Sequence, residues 1–356
     1  MSKNNNLHAA KTAKNDEFYT TFSSINEEIN TNEHGYRPFF KDQVVYCNCD
    51  DPEESNFWKF FKAVFKAYGI KKLISTHYTQ DGSSSYKLEY DGERVVKTEL
   101  EGNGDFRSPE CVELLKESDI VVTNPPFSLF RDFIGLLMEY NKKFAIIGNM
   151  NAITYKEVFP LIKENKIWLG YSQPKIFIQP DGSEKKFGNI LWYTNLDIPK
   201  RHEPMLLGWK FEKGLEMGIY QKYDNYDAYN VDKVCQIPRD YDGVLGVPIT
   251  FLDKYCPEQF EILNANDYRT SDNVPKKSHG LIKDKEGYIR ERERESNLCS
   301  SLHQENCLHQ ELTDGTSTAN VSMQEYSWYY DMVSRPIIKG TKIYRRMFIK
   351  ARKGGN

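Results

Sequence analysis

The sequence predicts an α/β domain built on a mostly parallel sheet, followed by a C-terminal region of mixed α+β character. Three observations lead there. Between about residues 43 and 165, short apolar runs of strand type alternate with amphipathic runs of helical period. That alternation is the pattern of a parallel sheet covered on both faces. After about Lys166, strand-like and loop-like pieces dominate, and 356 residues suffice for one large domain or two ordinary ones.

Each element has a local reason. The first fifteen residues are polar and suit a flexible arm, and Asp16–Asn30 suits a turn and a short helix. Gln43–Cys49 (QVVYCNC) is a compact strand. Ser55 is placed to cap the next helix, Phe57–Tyr68, which gathers Phe57, Phe60, Phe61, Val64, Phe65 and Tyr68 on one side before Gly69 closes it. Lys72–Tyr78 is a second strand. Asp81–Gly102 reads as a hairpin turning at Asp-Gly between β-prone runs. A short helix over Ser108–Lys116 precedes the strand Asp119–Thr123, and a helix over Leu129–Tyr140 precedes the strand Lys143–Gly148. Tyr155–Asn165 is expected to be helical. Further strands are expected over Ile167–Gly170, Lys175–Gln179, Gly188–Asn195, Val234–Ile237 and Ile343–Lys350. The chain thus divides into an arm (1–15), an α/β domain (16–200) and a second region (201–356) with a polar insertion near 268–324. Within the insertion, IRERERE reads as a solvated helix face.

Composition excludes little. The net charge of −3 says nothing of partners, although Lys339–Lys353 is rich in Lys and Arg and holds no acid. That tail suits phosphate contacts or, equally, a basic edge strand that resists aggregation. No apolar run approaches the ~20 residues of a membrane span, and nothing resembles a signal peptide, so a cytoplasmic protein is expected. The seven cysteines are scattered, and Cys47 and Cys49, the closest pair, lack a usual zinc spacing. His303, Cys307 and His309 lie near one another without a second pair of ligands, so no metal is expected.

The most informative stretch is Asp119–Phe130, DIVVTNPPFSLF. In an open parallel sheet ligands bind beyond the carboxyl ends of the strands, which is where Asn124–Phe127 falls. The Asn124 carboxamide offers an acceptor oxygen, and the carbonyl of Pro125 offers a second, held by proline's fixed φ. Two fixed acceptors suit an amino group: they hold its hydrogens and turn its lone pair toward an electrophile. Pro126 withholds a donor, and Phe127 offers a face for a flat ring. The other reading is a plain strand-to-helix turn with Phe127 packed in the core. Asn-Pro-Pro-Phe resembles the DPPY, NPPY, NPPF and SPPY motifs of S-adenosylmethionine-dependent methyltransferases that modify exocyclic amino nitrogens.

Asp16–Thr20 (DEFYT) resembles the segment of adenine methyltransferases that lies against the methionine part of the cofactor, with Thr21 where proline usually follows. Asp105-Phe106 resembles the segment that grips the cofactor adenine, by a carboxylate and a ring; a loop Asp capping the following helix is the alternative. Together with VVYCNCDDPEESNFWKFF, these stretches resemble the EcoRI adenine methyltransferase family from about Lys14 to Asn151, and more loosely onward through GNILWYTNL. The resemblance implies a Rossmann-like methyltransferase domain, a C-terminal target-recognition region, and site-specific methyl transfer to adenine N6 in duplex DNA by base flipping. It implies catalytic roles for Asn124, Pro125, Pro126 and Phe127. It implies cofactor contacts by Phe18, Tyr19, Thr20, Cys49, Asp50, Asp51, Asp105 and Phe106.

Two departures stand out. The turn after the first strand, Asn48–Pro52, has no glycine, and the second strand ends in no acid for the ribose hydroxyls; His77, Tyr78 and Asp81 are near that place without a basis for choosing. Lys276, Lys277, Arg290, Arg292, Arg294, Arg345, Arg346 and Lys350 are candidates for a phosphate surface. Double-stranded DNA is the expected partner, a cognate restriction endonuclease a possible second, and a monomer the default state. Two other functions compete: amino-group methylation of RNA or protein, and a DNA-binding protein that has lost catalysis.

Overall fold

The computed structural model describes residues 18–31, 35–49, 51–79, 84–179, 181–265, 280–283, 289–292 and 336–352. The chain forms two compact units, Met1–Glu203 with Leu252–Lys254, and Pro204–Phe251 with Tyr255–Asn356. The arm expected over 1–15 and most of the insertion near 268–324 lie outside the described residues.

In the first unit, β1 (Tyr19–Thr20) runs into α1 (Phe22–Ile29), where the Thr21 hydroxyl accepts from Ser24 N at 3.2 Å as the N-cap. β2 (Val44–Cys47) leads to α2 (Asn56–Tyr68). Ser55 caps α2 by accepting from Phe57 N at 3.1 Å, and Gly69 ends it in the left-handed region at φ 65°, as the sequence predicts. β3 (Lys72–Thr76) is followed by the hairpin of β4 (Tyr86–Tyr90) and β5 (Val95–Glu99). Its turn is fixed by the Asp91 carboxylate, which accepts from Glu93 N and Arg94 N at 2.9 Å each. Then come α3 (Pro109–Glu117), β6 (Ile120–Thr123), α4 (Phe130–Glu139), β7 (Lys143–Asn149) and α5 (Phe159–Lys163). β8 (Trp168–Leu169), β9 (Ile176–Ile178), β10 (Glu184–Lys186) and β11 (Ile190–Thr194) complete the unit. The helix expected over Tyr155–Asn165 is shorter than its pattern suggests. Pro160 has no N–H to donate and fits only a first turn, so α5 begins beside it.

Eight strands form one sheet in the order β5-β4-β3-β2-β6-β7-β11-β8. Three of its seven pairings are parallel (β2 with β3, β2 with β6, β6 with β7), and the other four are antiparallel. The expected mostly parallel sheet is therefore corrected to a mixed one. Its four central strands are parallel and buried on both faces, while a hairpin reverses the chain on one side and β11 enters antiparallel on the other. On one face Val45, Leu73, Ile120, Val122, Ala145 and Trp192 pack against α1 and α2. Phe57, Phe60 and Phe61 of α2 are fully buried there. At about 1.5–3 kcal/mol per buried ring, this contact rather than helix propensity fixes α2. On the other face Phe130 meets Tyr193 at 5.2 Å between ring centroids. A small sheet, β1-β9-β10, is separate and fully antiparallel.

A buried carboxylate ties α1 to the loop after β8. Glu28 accepts from Tyr36 Oη (2.8 Å), Tyr171 N (2.8 Å), Ser172 N (2.6 Å) and Ser172 Oγ (2.7 Å). Lys200 donates to the Gly170 carbonyl at 2.6 Å and pairs with Asp253 at 2.7 Å, which holds Leu252–Lys254 to this unit.

The second unit contains α6 (Phe211–Glu216), β12 (Gln221–Lys222), β13 (Tyr229–Asn230), β14 (Val244–Val247), β15 (Phe260–Ala265), β16 (Gly280–Lys283), β17 (Ile289–Arg292), β18 (Ile337–Ile338), β19 (Thr341–Lys342) and β20 (Met347–Ala351). Five strands pair in the order β12-β13-β14-β20-β15 over Tyr223, Tyr226, Ala228, Ile338 and Phe348. Two expectations are corrected. Val234–Gln236 is a 3-10 turn, not a strand. Ile289–Arg292 of the IRERERE run is a strand paired with Gly280–Lys283, because a cross-strand backbone partner outweighs a local charge pattern.

Candidate active site

Parallel pairing brings the carboxyl ends of β2 and β6 side by side. There the Thr123 hydroxyl donates to the Asn48 carbonyl, and Asn124 follows, 6 % exposed. Its amide nitrogen donates to the Phe18 carbonyl at 2.5 Å, which decides the orientation of the carboxamide. The Asn124 Oδ1 atom is buried and accepts no hydrogen bond among the described residues. Thr20 Oγ1 and Asn48 Oδ1 are likewise buried without a partner there. Buried polar atoms normally find partners, so these three oxygens at strand ends are candidates for contact with a polar ligand.

Pro125 is buried, and Pro126 precedes a 3-10 turn over Phe127–Leu129. The Phe127 ring is half-buried in a cluster. Phe18 lies 6.4 Å away at an interplanar angle of 26°, with Phe187 at 6.2 Å and Phe177 at 6.5 Å edge-on. The sequence reading singled out neither Phe177 nor Phe187. The available signal was period-two alternation through Lys175–Gln179, whose inward residue is Phe177.

On the other side of β2, Cys49 has a φ of 72°. The glycine-free turn thus still needs a left-handed residue, and a cysteine fills the place. Asp50 lies outside the described residues. Asp51 turns back on its own backbone, accepting from Glu53 N at 2.9 Å, and faces His77 Nε2 at 3.5 Å and Tyr86 Oη at 3.2 Å. His77 stacks on Tyr86 at 4.8 Å, and His77 Nδ1 is buried without a partner among the described residues. At the end of β3, where no acid stands, His77 thus meets Asp51 from the turn after β2.

Asp105 does not cap α3; Ser108 does, accepting from Cys111 N at 3.3 Å. The Asp105 carboxylate is instead gripped by Arg107, with Nε at 2.9 Å and Nη2 at 2.8 Å, and that guanidinium holds its carboxyl below the usual carboxylate range. Phe106 is 5 % exposed, edge-on to Phe133 at 5.0 Å. Gly104 just before them has φ 75°, and a Cβ there would come within 2.0 Å of the His77 carbonyl. Gly104→Ala is expected to destabilise the unit by more than about 2 kcal/mol, since left-handed strain and overpacking add; thermal melting measures it.

Of the phosphate candidates, Lys276, Lys277, Arg294 and the side chains of Arg290 and Arg292 lie outside the described residues. Arg345 is half-buried and Lys350 exposed. Arg346 is 11 % exposed and bonds Asn230 Oδ1 at 2.9 Å and Asp232 Oδ1 at 3.0 Å, so its guanidinium links β13 to the approach to β20. Among the described residues no group of His, Cys, Asp and Glu is arranged to hold a metal, and no helix is long and apolar enough to cross a membrane.

The profile of the adenine-specific methyltransferase EcoRI family matches residues 6–351. The chain belongs to that family. As a member of the EcoRI family it is an enzyme, an adenine-specific methyltransferase. The type II methyltransferase M.EcoRI of Escherichia coli is 49 % identical over 292 residues, covering 72 % of this chain and 88 % of the relative. M.MpnI of Mycoplasma pneumoniae, also a type II methyltransferase, is 41 % identical over 305 residues, covering 80 % and 93 %. No solved structure matches the chain significantly.

Proposed function

We propose that the protein methylates the N6 amino group of adenine at specific sites in duplex DNA, using S-adenosylmethionine, with the target base turned out of the helix. The observation that carries this reading is the Asn124 carboxamide. Its nitrogen is anchored on Phe18, and its oxygen is buried and unpartnered among the described residues. A fixed, dry acceptor favours an amino group over a hydroxyl or a carboxylate, because both amino hydrogens can be taken, one by Asn124 and one by the Pro125 carbonyl. With its hydrogens so held, the nitrogen's lone pair leaves conjugation with the ring and becomes the nucleophile. No side chain has to remove a proton first; the surplus proton leaves to water afterwards. Phe127 supplies the stacking face, with Phe18 and Phe187 completing the wall.

The donor set fits the cofactor. Among the described residues Thr20 Oγ1, in β1, and Asn48 Oδ1, just after β2, are buried oxygens without a partner, and Asp51 and His77 meet in the loops after β2 and β3. When bound, S-adenosylmethionine supplies an electrophilic methyl group. In this reading Tyr19, Thr20, Asn48, Cys49, Asp50 and Asp51 hold its amino-acid end and ribose, and Asp105 and Phe106 its adenine. Arg107 keeps the Asp105 carboxylate ionised and aimed. The second unit, with the Lys and Arg candidates, reads the target sequence. The protein works in the cytoplasm as a monomer, with or without a partner endonuclease.

The test is nucleoside mass spectrometry and methylation-aware sequencing of DNA from cells that express the chain. N6-methyladenine at one recurring sequence is expected; methylated RNA or protein without it overturns the reading. Phe127→Ala is expected to lose about 1–3 kcal/mol of affinity for duplexes with an unpaired target base, the worth of one base stacked on a ring. Unchanged binding would place Phe127 in the core only.

A further inference from the structure

The small sheet β1-β9-β10 has two unlike faces. Its register sets Thr20 beside Phe177 and Phe177 beside Lys185. Strand alternation adds Phe18, two residues before Thr20, and Phe187, two residues after Lys185. The ring contacts agree: Phe18 touches Phe187 at 5.0 Å, and Phe177 touches Phe187 at 5.4 Å. One face therefore presents aromatic rings, the cation of Lys185 and the Thr20 hydroxyl, which has no partner among the described residues. Glu184 and Lys186 fall on the opposite face.

Lys185 is exposed, and its ammonium lies 4.9 Å from the centroid of Phe18 and 5.6 Å from that of Phe187. Among the described residues its charge contacts are both with rings, not carboxylates. An exposed lysine gains only about 0.5–1 kcal/mol from a ring, so it stays available to an anion. Those two rings are the ones that flank Phe127. A nucleotide whose base lies on Phe127 carries its phosphates outside the aromatic wall, on the solvent side, and Lys185 is an exposed cation against two rings of that wall.

We propose that Lys185 holds a phosphate of the extruded nucleotide, making the β9–β10 hairpin a DNA-contacting element of the first unit. The inference rests on the reading of Asn124–Phe127 as the target-base site. The test uses a duplex containing the sequence methylated in expressing cells, with 2-aminopurine at the target position. Lys185→Gln is expected to make the dependence of log affinity on log salt shallower by about 0.9, one phosphate contact. It is also expected to weaken the fluorescence rise that reports extrusion. Lys185→Arg restores both, and Lys186→Gln on the opposite face leaves the slope at the wild-type value. Calorimetric binding of S-adenosylhomocysteine stays unchanged in Lys185→Gln. An unchanged salt slope overturns the proposal. So does a loss of S-adenosylhomocysteine affinity with the slope intact, which would assign Lys185 to the cofactor's carboxylate. A wild-type protein that methylates DNA but shows no fluorescence rise overturns the base-site reading itself, and this inference with it.

Discussion

Asn124→Ala is expected to lower the single-turnover rate of methyl transfer by about 100- to 1,000-fold, the loss typical when one preorganised hydrogen-bonding group is removed from a reacting centre. S-adenosylhomocysteine binding should stay near the wild-type value, because in the proposed role the Asn124 oxygen serves the substrate amino group rather than the cofactor. Incorporation of tritium-labelled methyl groups measures the first, and titration calorimetry the second. Asn124→Asp is the sharper variant. It keeps an acceptor oxygen but loses the N–H that anchors the side chain on the Phe18 carbonyl at 2.5 Å. Its rate should fall between wild type and alanine. If Asn124 served only to close a strand-to-helix turn, both variants would lower the melting temperature and neither would change the rate at a temperature where the protein is folded.

The second large effect belongs to Glu28. Glu28→Ala leaves the Tyr36 hydroxyl, the Ser172 hydroxyl and two backbone N–H groups without their acceptor in the core. Breaking one side of such a buried network costs about 3–5 kcal/mol. At about 2–4 °C per kcal/mol for a unit of this size, the melting midpoint should fall by roughly 10 °C. Because α1 follows Thr20 after a single residue, methylation should fall too, and partly recover on cooling.

The pH dependence of Glu28 has a definite sign. Burial raises its carboxyl above the ordinary 4.5, against the opposing pull of its hydrogen-bond donors. A group whose folded value is raised contributes stability that is fully present below its unfolded value and is lost as pH rises through the folded one. The melting-point gap between wild type and Glu28→Gln should therefore widen from pH 7 to pH 5. A narrowing gap would mean that the four donors outweigh burial.

Much of this architecture is written locally. Ser55 and Gly69 bracket α2, Asp91-Gly92 turns the β4–β5 hairpin, and the apolar runs of β2, β6 and β7 mark a buried sheet. The strand-end position of Asn124–Phe127 was legible because the apolar run of β6 and the two prolines that stop it are both local features. Strand direction was not, since the reversal at β11 depends on pairing with β7 across forty residues of chain. Nor was the left-handed Cys49, because only a turn's geometry says where glycine is replaceable. Glu28 reads in sequence as one more polar position on a helix; its burial depends on donors some 140 residues away. The Asp51–His77 contact is likewise a product of two neighbouring strands, invisible in either alone.

The short return of Leu252–Lys254 to the first unit bears on how this family's modules can be exchanged. The chain passes from the first unit to the second at Glu203, comes back for three residues, and leaves again. A hybrid spliced at 203/204 would take Lys200 from one parent and its partner Asp253 from the other. Exchanging the whole second unit between relatives therefore needs three junctions rather than one, with the Lys200–Asp253 pair inherited from a single parent.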